Sequence, residues 1–219
     1  MSNWYIGQRI VAIKGLKQRP CGCNGLLIDI SRTYNYTVGG EQKKWQPKNY
    51  GGNFQGIVSL RDSLVQSRNL STLNLVTDVG VNTTTDDLKR YGFKDIVDNL
   101  SVTLGSMSVN LIEFSQAYTI FSNNGVQVKP YIVEQIVNKD GKSVTFEPQR
   151  KELNPPEQSY LITSILKDVV TKGTGRRAAV DGIELAGKTG TTNDNKDRWF
   201  IGGTPDYVAP EVQGKIGYT

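Results

Sequence analysis

Apolar residues recur at helical spacing most clearly late in the chain, at Leu161, Ile162, Ile165, Leu166, Val169 and Val170. Pro155-Pro156 ahead of that run and Gly173 behind it mark a start and a stop. A second helical face carries Leu111, Phe114, Ala117, Tyr118 and Phe121, opened by Ser108 and ended by Asn124-Gly125. Earlier, Ser59 followed by Asp62 is a capping-type start for a helix with Leu60, Leu64 and Val65. Ser71 reads as the cap of a short helix stopping at Gly80. Thr85-Asp86-Asp87 reads as the cap of another that reaches Tyr91-Gly92.

Between these helices the period changes. Residues 131–137 read as a strand, Lys139-Asp140-Gly141 as a turn and residues 144–146 as its return. Residues 183–186 and 199–201 read as short strands bracketing a polar loop. At the other end, residues 8–13 alternate like a strand, residues 19–25 form a turn cluster and residues 26–30 suit a second strand. From there to Gly56 the Tyr, Gly, Asn and Lys content suits irregular connections. Helices and antiparallel strands mix without a βαβ rhythm, so the expected fold class is α+β.

Composition narrows the function classes. With 37% hydrophobic and 21% charged residues in 219, a buried core is expected. The net charge of +5 is scattered without a basic run, which reads as a solvated surface, and no nucleic-acid partner is expected. No stretch approaches the ~20 apolar residues of a membrane span. The first five residues lack the pattern of a secretion signal, so the chain as written reads as cytoplasmic. Cys21 and Cys23 stand alone, without histidine or a second cysteine pair, so no metal and no cofactor is expected. The absence of histidine also removes Ser-His-Asp and Cys-His mechanisms. Any base here is lysine, a carboxylate or tyrosine.

Two runs carry candidate chemistry. Gly187-Lys188-Thr189-Gly190-Thr191-Thr192 sits at the end of a predicted strand, before the polar loop. Serine acyl-transfer enzymes acting on penicillin-like donors use a K-T-G strand of this kind. A lysine attracts the substrate carboxylate, a neighbouring hydroxyl bonds it, and glycine lets the substrate lie against the strand edge. Taken alone, the three residues are a weak match and favour a turn-flanking lysine on an edge strand. Gln66-Ser67-Arg68-Asn69, at the end of a predicted helix, contains an S-x-N element. It sets a hydroxyl and an amide on one short turn, where they can pass a proton and hold a substrate amide.

The flanks of both runs extend the pattern. They are Trp45-Gln46-Pro47-Lys48-Asn49-Tyr50, the run from Val58 through Asn69, Leu104-Gly105-Ser106, Phe121-Ser122-Asn123-Asn124-Gly125, Asp168 through Gly175, Ala186 through Asp194, and Asp197 through Gly202. In order and spacing these blocks resemble the transpeptidase domain of class A, bifunctional penicillin-binding proteins over roughly residues 28–208. The resemblance implies a serine transpeptidase and β-lactamase type of fold, a mostly antiparallel sheet with helices on both faces, here incomplete. It implies cross-linking of peptidoglycan stem peptides, with a stem peptide or a β-lactam as ligand, in the periplasm or cell envelope. It assigns catalytic roles to Ser67, Asn69 and Lys188, and substrate binding to Thr189, Gly190 and Thr191.

One element of that family pattern is missing. The family places S-x-x-K, nucleophile and activating lysine, ahead of the S-x-N. No serine before Ser67 has a lysine three residues on, and the only such run, Ser164-Ile165-Leu166-Lys167, falls inside the late helix. The nucleophile is therefore unassigned. Two readings stand: a transpeptidase-type domain, inactive as written, and a non-catalytic remnant or fusion that binds wall peptide or has only a structural role. The expected organisation is a small β-rich segment of unrelated character at 1–27, the transpeptidase-like domain at 28–208 and a tail at 209–219.

Overall fold

The alternation after Gly25 becomes strand β1 (Leu26–Asp29), with Leu27 and Asp29 inward and Leu26 and Ile28 outward. Its antiparallel partner is β4 (Gly56–Ser59), with Leu27 opposite Val58. The structure, a computed structural model, describes residues 25–96, 99–105, 107, 109–191 and 198–204. The strand and turn expected before Gly25 lie outside the described residues, as does the tail after Thr204.

Between β1 and β4 the expectation of irregular chain is corrected. Strands β2 (Tyr34–Val38) and β3 (Glu41–Trp45) form a hairpin. Its two-residue turn, Gly39-Gly40, has φ of 59° and 85°, the left-handed pair that a type I′ hairpin needs. Tyr34 and Trp45 face each other across it, ring centroids 5.8 Å apart.

Ser59 caps helix α1 (Leu60–Val65), its hydroxyl accepting from the Asp62 amide at 2.9 Å. Helix α2 (Asn69–Val79) stops at Gly80, as read from the sequence, but starts two residues before Ser71. Ser71 is not its cap: the buried hydroxyl shares a hydrogen bond with Ser63 at 2.7 Å. Helix α3 (Val81–Arg90) likewise begins before Thr85, whose hydroxyl turns back to the Asn82 carbonyl inside the helix. A 3₁₀ turn (Leu100–Leu104) leads to α4 (Leu111–Ser122), capped by Asn110. Phe114, Ala117, Tyr118 and Phe121 form its buried face, whereas Leu111, in the first turn, is half exposed. Gly125 ends this segment at φ +93°, where a Cβ would meet the Asn154 carbonyl oxygen at 2.0 Å.

Short strands β5 (Val126–Val128) and β8 (Arg150–Glu152) pair with each other, a contact the periodicity does not announce. Between them β6 (Gln135–Val137) and β7 (Ser143–Thr145) make a hairpin shorter than the expected 131–137 strand. The strongest helical pattern is α5 (Pro156–Thr171), with Ile162, Ile165, Leu166 and Val169 wholly buried. It packs on α1, α4 and β9 (Ala186–Thr191), and β9 pairs with β10 (Arg198–Gly203). The strand expected at 183–186 therefore begins only at its last residue, and the K-T-G run lies inside β9 rather than beyond a strand end. One core joins Leu64, Val76, Leu88, Phe114, Tyr118 and Leu166, among others.

The α+β class holds. The sheets among the described residues are five two-stranded antiparallel pairs, so the broad sheet with helices on both faces is not seen. No helix of the described residues is long and apolar enough to cross a membrane.

Candidate functional site: a cleft between the S-x-N corner and the K-T-G strand

The S-x-N residues form the corner between α1 and α2. Gln66 caps α1, Ser67 takes a left-handed φ of 55°, and Asn69 opens α2. A non-glycine residue in that region carries strain that its surroundings must offset. Here the Arg68 amide donates to the Ser63 carbonyl at 2.8 Å, and the Thr72 hydroxyl to the Arg68 carbonyl at 2.7 Å.

Side chains hold the corner from below. Arg68 is buried, with Nη1 on Asp29 Oδ2 at 3.2 Å and Nη2 on Gln66 Oε1 at 2.8 Å. Asp29, fully buried on β1, also accepts from Asn49 Nδ2 at 2.9 Å and the Gln55 amide at 3.0 Å. Asn49 Oδ1 in turn accepts from the Leu70 amide at 3.0 Å, inside the first turn of α2. A buried ion pair persists only when its remaining lone pairs and protons are met, and this one is.

The facing wall is β9. Lys188 is 1% exposed, and its Nζ donates to Ser67 Oγ in a short contact and to the Thr189 carbonyl at 3.4 Å. Gly187 is what allows β9 and β10 to close here: a Cβ would stand 2.2 Å from Phe200 Cζ. The third side is the segment leaving α5. The Gly173 and Gly175 amides both donate to the Val169 carbonyl, at 3.1 and 2.9 Å, and the Thr174 amide donates to the Val65 carbonyl at 3.3 Å. A Cβ on Gly173 would lie 2.5 Å from that same Val65 oxygen. The Thr174 and Thr189 hydroxyls share a hydrogen bond at 3.0 Å, joining this segment to the strand.

Together these walls enclose a cleft of about 1360 Å³. Ser67, Asn69, Thr189, Gly190 and Thr191 line it, and Lys188 reaches Ser67 from its buried place in β9. Asn69 Nδ2 donates to the Lys48 carbonyl at 2.9 Å, while its buried Oδ1 meets no donor among the described residues. Ser164 and Lys167 are elsewhere: Ser164 accepts from Arg61 at 3.2 Å, Lys167 pairs with Glu184 at 2.6 Å, and neither lines the cleft. No cluster that could hold a metal ion occurs among the described residues.

A family model for the penicillin binding protein transpeptidase domain matches residues 30–213. The chain belongs to that family. Penicillin-binding protein 1A of Neisseria meningitidis serogroup A / serotype 4A is 34% identical over 191 residues, 80% of this chain and 24% of that protein. Penicillin-binding protein 1A of Rickettsia bellii is 37% identical over 199 residues, 80% of this chain and 25% of that protein. This transpeptidase domain thus spans about a quarter of the length of the relatives it matches. The crystal structure of penicillin-binding protein 1A from Haemophilus influenzae superposes with a TM-score of 0.81 at 26% identity, covering 92% of this chain and 36% of that one. Penicillin-binding protein A from M. tuberculosis, solved as an imipenem acyl-enzyme complex, shares the fold with a TM-score of 0.74 at 18% identity, covering 93% of this chain and 52% of that one.

Several residues that line this cleft carried no mark in the sequence. Lys48, Asn49 and Asn53 enter from the loop before β4, and Arg176 and Arg177 from a 3₁₀ turn (Arg176–Ala178) after α5. Two of the quoted family blocks, around Trp45 and around Asp168, run beside or through these segments. That proximity was the available signal, but neither block assigns a role to a side chain.

Proposed function

We propose that the cleft is the acyl-donor site of a peptidoglycan D,D-transpeptidase-type domain, and that residues 1–219 by themselves recognise the donor without acylating it. The observation that carries this reading is the contact of Lys188 with Ser67 across 121 positions of sequence, on the wall of one open cleft. Lys188 and Thr189 take the terminal carboxylate of an acyl-D-Ala-D-Ala peptide through charge-assisted hydrogen bonds. Gly190 and Thr191 line the strand along which the peptide lies. Ser67 Oγ, already bonded to Lys188, passes a proton, and the Asn69 carboxamide holds a substrate amide.

The absence of acylation follows from chemistry. A serine hydroxyl is a weak nucleophile until a neighbouring base activates it. The one serine with a lysine three residues on, Ser164, is tied to Arg61 outside the cleft. A relative solved as an imipenem acyl-enzyme supports β-lactams as ligands of this fold. We assign the function to residues 28–208, to which Leu26 and Leu27 are joined through the pairing of β1 with β4, with 209–219 a tail, and its place of work to the cell envelope.

The test is a titration with an acetylated peptide ending in D-Ala-D-Ala. A charge-assisted contact is worth ~1.5–3 kcal/mol, so Lys188→Ala should weaken binding about tenfold or more. Lys172→Ala, which removes a lysine paired with Asp168 outside the cleft, should not. Equal affinities for the two variants would take Lys188 out of the site.

A further inference from the structure

The run Ser143-Val144-Thr145-Phe146-Glu147 alternates polar and apolar without a break, the pattern of a strand with one covered face. Yet every residue from 132 to 147 is exposed, and Ile136, Val144 and Phe146 are 55, 61 and 43% exposed. Ile136 lies opposite Val144 in the β6–β7 pair, and Phe146 follows two residues on, so the three share one face. The ribbon leaves a fixed base. Gln127 and Val128 on β5 are buried, and the Lys129 amide donates to the Gln149 carbonyl at 3.0 Å. An isolated two-stranded hairpin is marginally stable in water, and its hydrophobic face is secured by further strands.

The open edge is on β7. The Phe146 amide donates to the Glu134 carbonyl and the Asn138 amide to the Lys142 carbonyl, both at 2.8 Å, so the even-numbered residues bond across the ribbon. Backbone groups alternate in direction along an antiparallel strand, so the amides and carbonyls of Ser143 and Thr145 point away from β6. β6 is the only strand paired with β7 among the described residues. On the opposite side the chain bends at Ile132 and Glu134, which shortens the edge of β6.

Two copies of β7 match each other when set antiparallel about Thr145. Thr145 then faces Thr145 of the second copy, Val144 faces its Phe146, and Ser143 faces its Glu147. Thr–Thr and aromatic–β-branched pairs are favourable across strands. The charges of this run, Lys142 and Glu147, stand at its two ends. The antiparallel match therefore opposes no like charges and sets Lys142 at the end where the second copy carries Glu147. Pro148, which has no amide hydrogen, closes the edge.

We propose that β7 is a self-association edge, on which a second copy of this chain adds antiparallel to form a four-stranded sheet. The same patch serves both copies, so the contact closes as a two-fold dimer and does not grow into fibres. An edge this short buries less than the roughly 1,200–2,000 Å² of a standard interface, so the dimer is weak and forms with concentration. The cleft takes no part in it, since none of residues 132–147 lines it.

The experiment is sedimentation velocity of the full chain over a range of concentrations, with hydrogen exchange on the same samples. The average mass should rise from 24.2 kDa towards twice that value. The Ser143 and Thr145 amides should exchange fast in dilute samples and slow in step with the dimer. Thr145→Pro removes an outward amide that the β6–β7 pair does not use, so it should abolish the dimer and keep the circular dichroism melt. Ser143→Lys and Ser143→Glu set an unlike or a like charge against Glu147 of the second copy. They should tighten and loosen the dimer about fivefold respectively, since symmetry makes the pair twice. A chain that stays monomeric at every concentration overturns the proposal, and so does a dimer that Thr145→Pro leaves intact. A dimer weakened by Phe146→Ser but indifferent to Thr145→Pro and to the charge at 143 packs face to face, which also overturns the edge.

Discussion

Replacing Asp29 with alanine should unfold much of the stability of this domain, because one fully buried carboxylate satisfies donors from three parts of the chain. Asn49 Nδ2, the Gln55 amide and Arg68 Nη1 all end on it. After the substitution Asn49 still reaches the Asn53 carbonyl and Arg68 still reaches Gln66, but the Gln55 amide loses this partner. The guanidinium, on a side chain only 10% exposed, loses its counter-charge. Removing one member of a buried ion pair costs about 3–5 kcal/mol, against a total stability of ~5–15 kcal/mol. At roughly 2–4 °C per kcal/mol for a domain of this size, the melting midpoint should fall by roughly 6–20 °C. Arg68→Ala should cost a similar amount, since it strands the Asp29 charge. The double variant should then cost clearly less than the two singles combined, with a coupling of ~1 kcal/mol or more. Urea unfolding followed by circular dichroism on all four proteins measures the cycle. A loss below ~1 kcal/mol for Asp29→Ala, or strict additivity, would refute the claim that this pair holds the S-x-N corner.

Two further outcomes follow from single positions. Gly187→Ala should destabilise by ~1–3 kcal/mol or more, because the new Cβ would stand 2.2 Å from Phe200 Cζ and 2.8 Å from the Ile201 carbonyl oxygen; a wild-type denaturation midpoint would contradict that packing. Burial acts to raise the Asp168 carboxyl, but hydrogen bonds and charge from Arg61 and Lys172 outweigh it and hold the group below its ordinary value of 3.8. A carboxyl depressed on folding contributes stability that is present above its unfolded value and lost as pH falls through the folded one. The stability difference between the native chain and Asp168→Asn should therefore be positive at pH 6 and shrink below about pH 4, and a pH-independent difference in urea titrations would argue against the pair.

Features set by neighbours in sequence were legible. The Ser59 cap and the apolar stripe of α5 depend on residues three and four apart, and both appear where the spacing puts them. Caps assigned to Ser71 and Thr85 failed because a hydroxyl can turn back to its own helix as readily as it opens one. The β2–β3 hairpin was missed although Gly39-Gly40 signals its turn, since Lys, Gln and Tyr on a two-stranded ribbon bury little and leave no alternation to read. Strands of three residues, such as β5 and β8, hold too few positions to show a period at all. The site is the extreme case. Ser67 meets Lys188 from 121 positions away and Arg68 meets Asp29 from 39, so no local pattern announces either contact. Family resemblance pointed to Ser67, Asn69 and Lys188. Nothing in the sequence marked Asp29 as the anchor beneath them, or Arg176 and Arg177 as the rim.

Recognition without acylation is tested most directly with one fluorescent penicillin, its anisotropy read on residues 1–219 under native conditions and again after denaturation. The cleft should give a saturable native signal that Lys188→Ala weakens about tenfold or more. Denaturation should release all of the label and leave the intact mass unchanged. A label that survives denaturation on any serine would contradict the account of the chemistry, and the absence of a saturable native signal would contradict the account of the cleft.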